Sequence, residues 1–298
     1  MNVRDQTRIR FGRALAGTAV LFGLVGMGTL SLLGRWDLLV EGFVVHNGVW
    51  AAGLGALAWF TIPAQTRNGA VWALAWAAFF GGLLTAGAAV VLLLTPGPIV
   101  DVLLQEITTI TPADLPLPAA IAWQPVSWAW IPAFLLVLTS GLLLFPDGRP
   151  PSPRWRWVGW YSVATITVAV GGIAVLANPA STVIIDSYEG TAGSVFEVAL
   201  NLAMVGALVS VASLIVRYRR SSGVARRQIR WIAWGGSFLV ATLVASTIFE
   251  GATTSGDSLS SLVTLVGEAL LILSFWVAIT KYRLYDVDVV ISRTVTYV

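Results

Sequence analysis

Glu268 is the residue hardest to keep idle in this chain. It lies within an apolar run, and an ionised acid near the middle of a bilayer costs roughly 2.5–3.5 kcal/mol on insertion scales. Such an acid must face protein or water, or keep its proton. Helical spacing places Asp257, Ser261, Thr264 and Glu268 on one stripe. Thr242, Ser246 and Glu250 form a second stripe, Glu197 and Asn201 a shorter third, and His46 with Asn47 opens another apolar run. Carboxylates, hydroxyls, amides and one imidazole are the groups that bind a small ligand, a cation or a proton. The candidate pocket is therefore Glu268, Thr264, Ser261, Glu250, Ser246, Glu197, Asn201 and His46. The competing explanation is a set of interhelical hydrogen bonds near the membrane surface.

The same inventory excludes other chemistry. With no Cys there are no disulfides, thiolate metal sites or Cys-ligated clusters. A single His leaves no HExxH or multi-His motif. No nucleophile–base pair is evident in the sequence, so an intramembrane enzyme ranks low. No catalytic, metal-ligating or cofactor-binding residue is expected, and no cofactor.

These residues belong to about eight apolar runs, at 14–33, 43–62, 70–94, 126–145, 157–177, 195–216, 231–250 and 262–280. About 20 apolar residues cross a hydrocarbon core as a helix. The runs are too long and too poorly alternating for barrel strands. The chain is 57% hydrophobic and only 11% charged, against about 25% charged in soluble domains. The expected fold is an all-α integral membrane protein, a bundle of about eight transmembrane helices. The apolar run after the basic N-terminus is longer than a signal-peptide core and reads as an uncleaved first span.

Arg and Lys fall in every second gap between runs: before the first (Arg4, Arg8, Arg10, Arg13), then at Arg67, Arg149–Arg156, Arg217–Arg230 and Lys281–Arg293. The remaining gaps hold one base, Arg35. Cytoplasmic loops collect such residues, so both termini are expected in the cytoplasm of a multi-pass cell-membrane protein. The bases hug helix ends, where lipid headgroups lie, so the bilayer is the expected partner and nucleic acid is not.

In the longest outer loop, Ile99, Val100, Leu103, Leu104, Ile107 and Ile110 recur at helical spacing and suggest a surface helix. Pro112, Pro116 and Pro118 then predict a stiff, extended segment. Ladders of small residues (Gly48, Ala52, Ala56; Ala78, Gly82, Ala86) point to tight bundle packing.

Three basic-side segments carry more pattern than topology requires: Leu144-Phe145-Pro146-Asp147-Gly148-Arg149-Pro150; Arg217 to Trp231, with Arg219, Arg220, Gly223, Arg226 and Gln228; and Lys281 to Thr294, containing Tyr282-Arg283-Leu284-Tyr285-Asp286. Together they resemble the membrane half of a large bacterial family of multi-pass sensor histidine kinases. Those proteins carry an LLLFPDGR-type turn, a basic RxRRxxGxxRxQxxW loop and a YRLYDID segment. This chain departs with Val287 and Val289 in the last.

The resemblance implies a membrane sensor or input module of a two-component system, with 1–280 as the transmembrane input domain and 281–298 as a cytoplasmic linker. It implies a homodimer, kinase output domains and a response regulator as partners. It also implies a coupling segment of Tyr282, Arg283, Leu284, Tyr285, Asp286, Asp288 and Arg293. Phosphoacceptor and ATP-binding domains would follow Val298 in that family, so the chain is expected to be a truncated product, a fragment or part of a split gene, without catalysis of its own. The alternative is a stand-alone transporter or channel. Pro132 is the clearest breaker within a span.

Overall fold

Backbone amides that cannot meet water in a bilayer must bond within their own helix. The computed structural model, which describes residues 3–40, 44–95, 111–181, 190–250 and 256–281 (side chains at 37, 38, 247–250 and 256–258 excepted), is accordingly built of helices. These are α1 (Val3–Leu32), a short α2 (Trp36–Val40), α3 (Val44–Thr61), α4 (Gly69–Leu94), α5 (Leu117–Leu144), α6 (Arg156–Leu176), α7 (Gly190–Arg220), α8 (Gly223–Glu250) and α9 (Gly256–Trp276). A wide π turn, Val277–Lys281, continues α9.

Seven of these rods are long and apolar enough to cross a membrane, and the chain is a multi-pass membrane protein. The run at 43–62 also forms a helix, α3. It is long enough but falls short in apolarity, because some of its 18 residues are His46, Asn47 and glycines. Its antiparallel neighbours α1 and α4 supply the apolar cover instead. Gly23 of α1 sits against Ala51, and Gly81 of α4 against the Asn47 carbonyl. The small-residue ladders serve this packing: Gly48 meets Met27, and Gly82 meets Ala19 and Phe22.

α5 begins well before the apolar run at 126. A proline costs nothing in a first helical turn, where its missing N–H has no partner to lose. Pro118 therefore starts the helix, and the expected extended segment shrinks to a single 3-10 turn, Pro112–Asp114. The Thr111 N–H and hydroxyl both donate to Asp114 (2.8 and 2.7 Å), and they hold its carboxyl below the usual range. Further along, Pro132 cannot return a bond to Trp128. α5 is interrupted at Ala129 and widens into a π turn at Val137–Gly141 before it ends. The expected surface helix at 99–110 lies outside the described residues.

α6 and α7 pack against each other through Ile166, Ala169, Ile173, Phe196, Ala199 and Ala203. α8 and α9 form a second antiparallel pair, and α9 also lies parallel to α3, where the Trp276 indole donates to the Gly53 carbonyl at 3.0 Å. Leu21, Leu24 and Val25 of α1, Trp157 and Trp160 of α6, and Val240 and Val244 of α8 remain exposed. In a bilayer those faces meet lipid.

The basic segments, as far as they are described, gather at one end of the bundle. Arg67 reaches Asp5 (3.5 Å), Gly148 lies against Asn68, Arg217 bonds the Leu143 carbonyl (2.9 Å), and Gln228 bonds the Ala278 carbonyl (2.8 Å). His46 and Ser261 lie towards the other, far end.

Candidate functional site

α3 places His46 in its first turn, and α9 places Ser261 and Glu268 two turns apart on the face it shows to α3. Seven residues of helix rise about 10 Å, enough to take an imidazole edge-on between them. His46 Nδ1 lies 2.9 Å from Glu268 Oε2, and Nε2 lies 2.8 Å from Ser261 Oγ. Ser261 Oγ in turn donates to the carbonyl of Val40, the last residue of α2, at 2.5 Å. All three side chains are buried, at 3% exposure for His46, 2% for Ser261 and 7% for Glu268.

The hydrogens follow from these contacts. A hydroxyl has one proton to give, and a carbonyl can only accept. Ser261 spends its proton on Val40, so it must accept from His46, which makes Nε2 the protonated nitrogen. One further hydrogen lies between Nδ1 and Oε2. Whether it sits on nitrogen (an imidazolium–carboxylate pair) or on oxygen (imidazole and acid), the cluster is neutral overall. A neutral cluster whose polar groups bond one another is what makes a deep acid tolerable in a bilayer.

The same hydrogens make this a holding arrangement rather than a nucleophilic triad. A nucleophilic serine donates to a neutral imidazole, whereas this one accepts from it. What the cluster does hold is a tie among three elements: the connector helix α2, the central helix α3 and the last helix α9. Close approach of α8 behind it depends on Gly267, where a Cβ would collide with Thr242 Oγ1.

The sequence placed several other residues in this pocket. Thr264 is buried on the same face of α9. Ser246 is buried on α8, its hydroxyl donating to the Leu243 carbonyl (2.8 Å). Glu197 and Asn201 are not brought in: both are exposed on α7, which packs mainly on α6, and the Asn201 amide donates to the Glu197 carbonyl (2.8 Å). The side chains of Glu250 and Asp257 lie outside the described residues, as does the coupling segment Tyr282, Arg283, Leu284, Tyr285, Asp286, Asp288 and Arg293. No three His, Asp or Glu side chains converge on a common point among the described residues.

At the basic end the structure reveals a second constellation. Arg217, grouped by sequence with the headgroup-facing arginines, is only 8% exposed. Its Nη2 donates to the Leu143 carbonyl (2.9 Å) and to the Arg149 carbonyl, and its Nη1 approaches Asp147 at 3.4 Å. It thus closes the Phe145–Arg149 turn. From the other side Asn68 caps α4 by accepting from Ala70 N (2.9 Å), while its amide donates to the Pro146 carbonyl (3.1 Å). Gly148 takes φ +73°, and a Cβ there would strike Asn68. Arg217 continues the buried stripe Ser210, Ser213 and Leu214 at helical spacing, and that periodicity was the available signal. Nothing local marks Asn68 as a partner of residue 146. In the neighbouring hairpin, the Arg226 guanidinium lies 4.6 Å from the Tyr218 ring.

Family models, curated proteins and solved structures give no match to this chain.

Proposed function

We propose that the protein is the membrane input module of a two-component signalling system, with the arginine-bearing end in the cytoplasm. The observation that carries this reading is the connectivity of α9. One helix holds both buried ends of the polar cluster, Ser261 and Glu268, and leads through the Val277–Lys281 turn into the YRLYD segment. A stimulus that remakes the cluster would move α9 against α3, and the displacement would reach Lys281. Such coupling needs two arrangements that the stimulus favours unequally. The kinase output and the response regulator come from the three motifs alone. The family likeness also suggests a homodimer.

A carrier or channel would require a polar path through the bundle. Among the described residues, the groove between α1, α3 and α9, of about 300 Å³, is lined by apolar groups such as Met27, Val49, Ile272 and Trp276.

The test uses the absence of native Cys. Spin labels at Arg67→Cys and Lys281→Cys, both exposed at the basic end, report the position of the α9 terminus in lipid nanodiscs. Glu268→Leu breaks the tie, and the inter-label distance distribution should shift or broaden. A distribution identical to that of the intact cluster, in a folded protein, overturns the reading.

A further inference from the structure

We infer that the cluster is a proton-operated latch: loss of one proton turns Ser261 from Val40 to His46 and frees the end of α2 from α9. The inference deepens the reading of this cluster as the input and rests on it only in taking the proton as the stimulus.

The chemistry follows from the hydrogen count. With the hydrogens assigned from the cluster's contacts, Nε2–H donates to Ser261, Ser261 donates to Val40, and one proton lies between Nδ1 and Glu268. Remove the Nε2 proton to water. The remaining ring proton stays on Nδ1, facing a carboxylate that is now fully ionised, and Nε2 becomes a lone pair. Ser261 Oγ, 2.8 Å away, then has an imidazole acceptor in reach. Its single hydrogen can serve the nitrogen or the Val40 carbonyl, not both. The charge beside Nδ1 fixes the tautomer and therefore decides for the nitrogen. The cluster passes from neutral to −1, and the 2.5 Å bond between α9 and the end of α2 is lost.

The sign is definite. The tie to Val40 is present on the acid side of this transition and is lost as pH rises through it. Among the described side chains, few other charges bear on it. α4 and α5 carry no ionisable residue, and α3 carries His46 alone. The charges of α1 (Arg4 to Arg13) lie at its basic end, as do Arg226, Arg227 and Arg230 of α8. Arg35 precedes α2. Asp37 of α2, Glu250 of α8 and Asp257 of α9 are the remaining acids of these elements, and their side chains are not among those described; Glu41 lies outside the described residues.

His46 is the single histidine of the chain, so 15N-histidine labelling gives a spectrum of this ring alone. Solid-state NMR of the full chain in bilayers, from about pH 4 to about pH 9, should show Nε2 protonated at the acid end. It should lose its proton as pH rises, with Nδ1 remaining protonated. In Glu268→Gln the amide donates to Nδ1 and no carboxylate charge develops, so Nε2 should stay protonated throughout. Labels at Trp36→Cys and Leu259→Cys, exposed on α2 and α9, should separate over the same pH interval in the otherwise native chain. A ring that keeps its Nε2 proton across the range, a swap that persists in Glu268→Gln, or a swap without movement of the connector each overturns the latch. The Arg67–Lys281 distance, followed through the same titration, tests the other claim. A latch that opens while Lys281 stays still refutes transmission and leaves the latch standing.

Discussion

Arg217 and Glu268 are both ionisable groups withdrawn from water, and they are stabilised in different ways. Glu268 is paired with the His46 ring, its Oε2 2.9 Å from Nδ1. Arg217 cannot shed its proton, so it is surrounded by oxygen: two main-chain carbonyls and the Asp147 carboxylate. Most of its contribution comes from the carbonyls, because Asp147 is exposed and an ion pair to an exposed partner is weak. Arg217→Met should therefore destabilise the protein by about 2–4 kcal/mol, since it strands two turn carbonyls. Arg217→Lys should recover only part of this, for want of a forked donor. Arg219→Ala, on the exposed side of the same helix turn, should change stability by less than about 0.5 kcal/mol. Denaturant unfolding in micelles measures all three.

α9 shows how one helix comes to be held at both ends. At the far end Ser261 and Glu268 clasp His46. At the basic end the helix widens, and its Ala278 carbonyl accepts from the Gln228 amide of α8 at 2.8 Å. The wide turn needs that donor because a π turn disturbs the ordinary ladder of helical bonds. Gln228 thus acquires a structural role inside an arginine-rich loop whose charge alone would not require it. Gln228→Leu should cost about 1 kcal/mol and increase the mobility of a spin label at Lys281→Cys. If the label's spectrum is unchanged, the amide does not anchor the end of α9.

The molecule as a whole is polarised. Among the described residues the arginines other than Arg35 collect at one end, and the polar cluster lies towards the other. Two arrangements of a bundle with this polarity can be told apart from either surface of a membrane. The orientation proposed above puts Arg226 in the cytoplasm, by the rule that basic loops stay behind during insertion. In membrane vesicles a membrane-impermeant thiol reagent should modify Arg226→Cys only when the vesicles are inverted. Leu117→Cys, exposed at the far end of α5, should react only in right-side-out vesicles. The reverse pattern would invert every side assigned here.

The helical, membrane-spanning character was legible in the residues, because the hydrocarbon core imposes length and apolarity on each rod separately. The stripe on α9 was legible for the same local reason: helical periodicity puts Ser261, Thr264 and Glu268 on one face whatever surrounds them. What periodicity cannot supply is the partner of a face. That His46 closes the cluster while Glu197 and Asn201 stay outside depends on α9 lying beside α3 and α7 lying beside α6. The burial of Arg217 likewise depends on a turn some seventy residues away in the chain. The direction of the Ser261 hydrogen, and with it the tautomer of His46, depends on a main-chain carbonyl that carries no side-chain signature. Contacts between distant segments arise from packing, and one helix's sequence does not encode the shape of its neighbour.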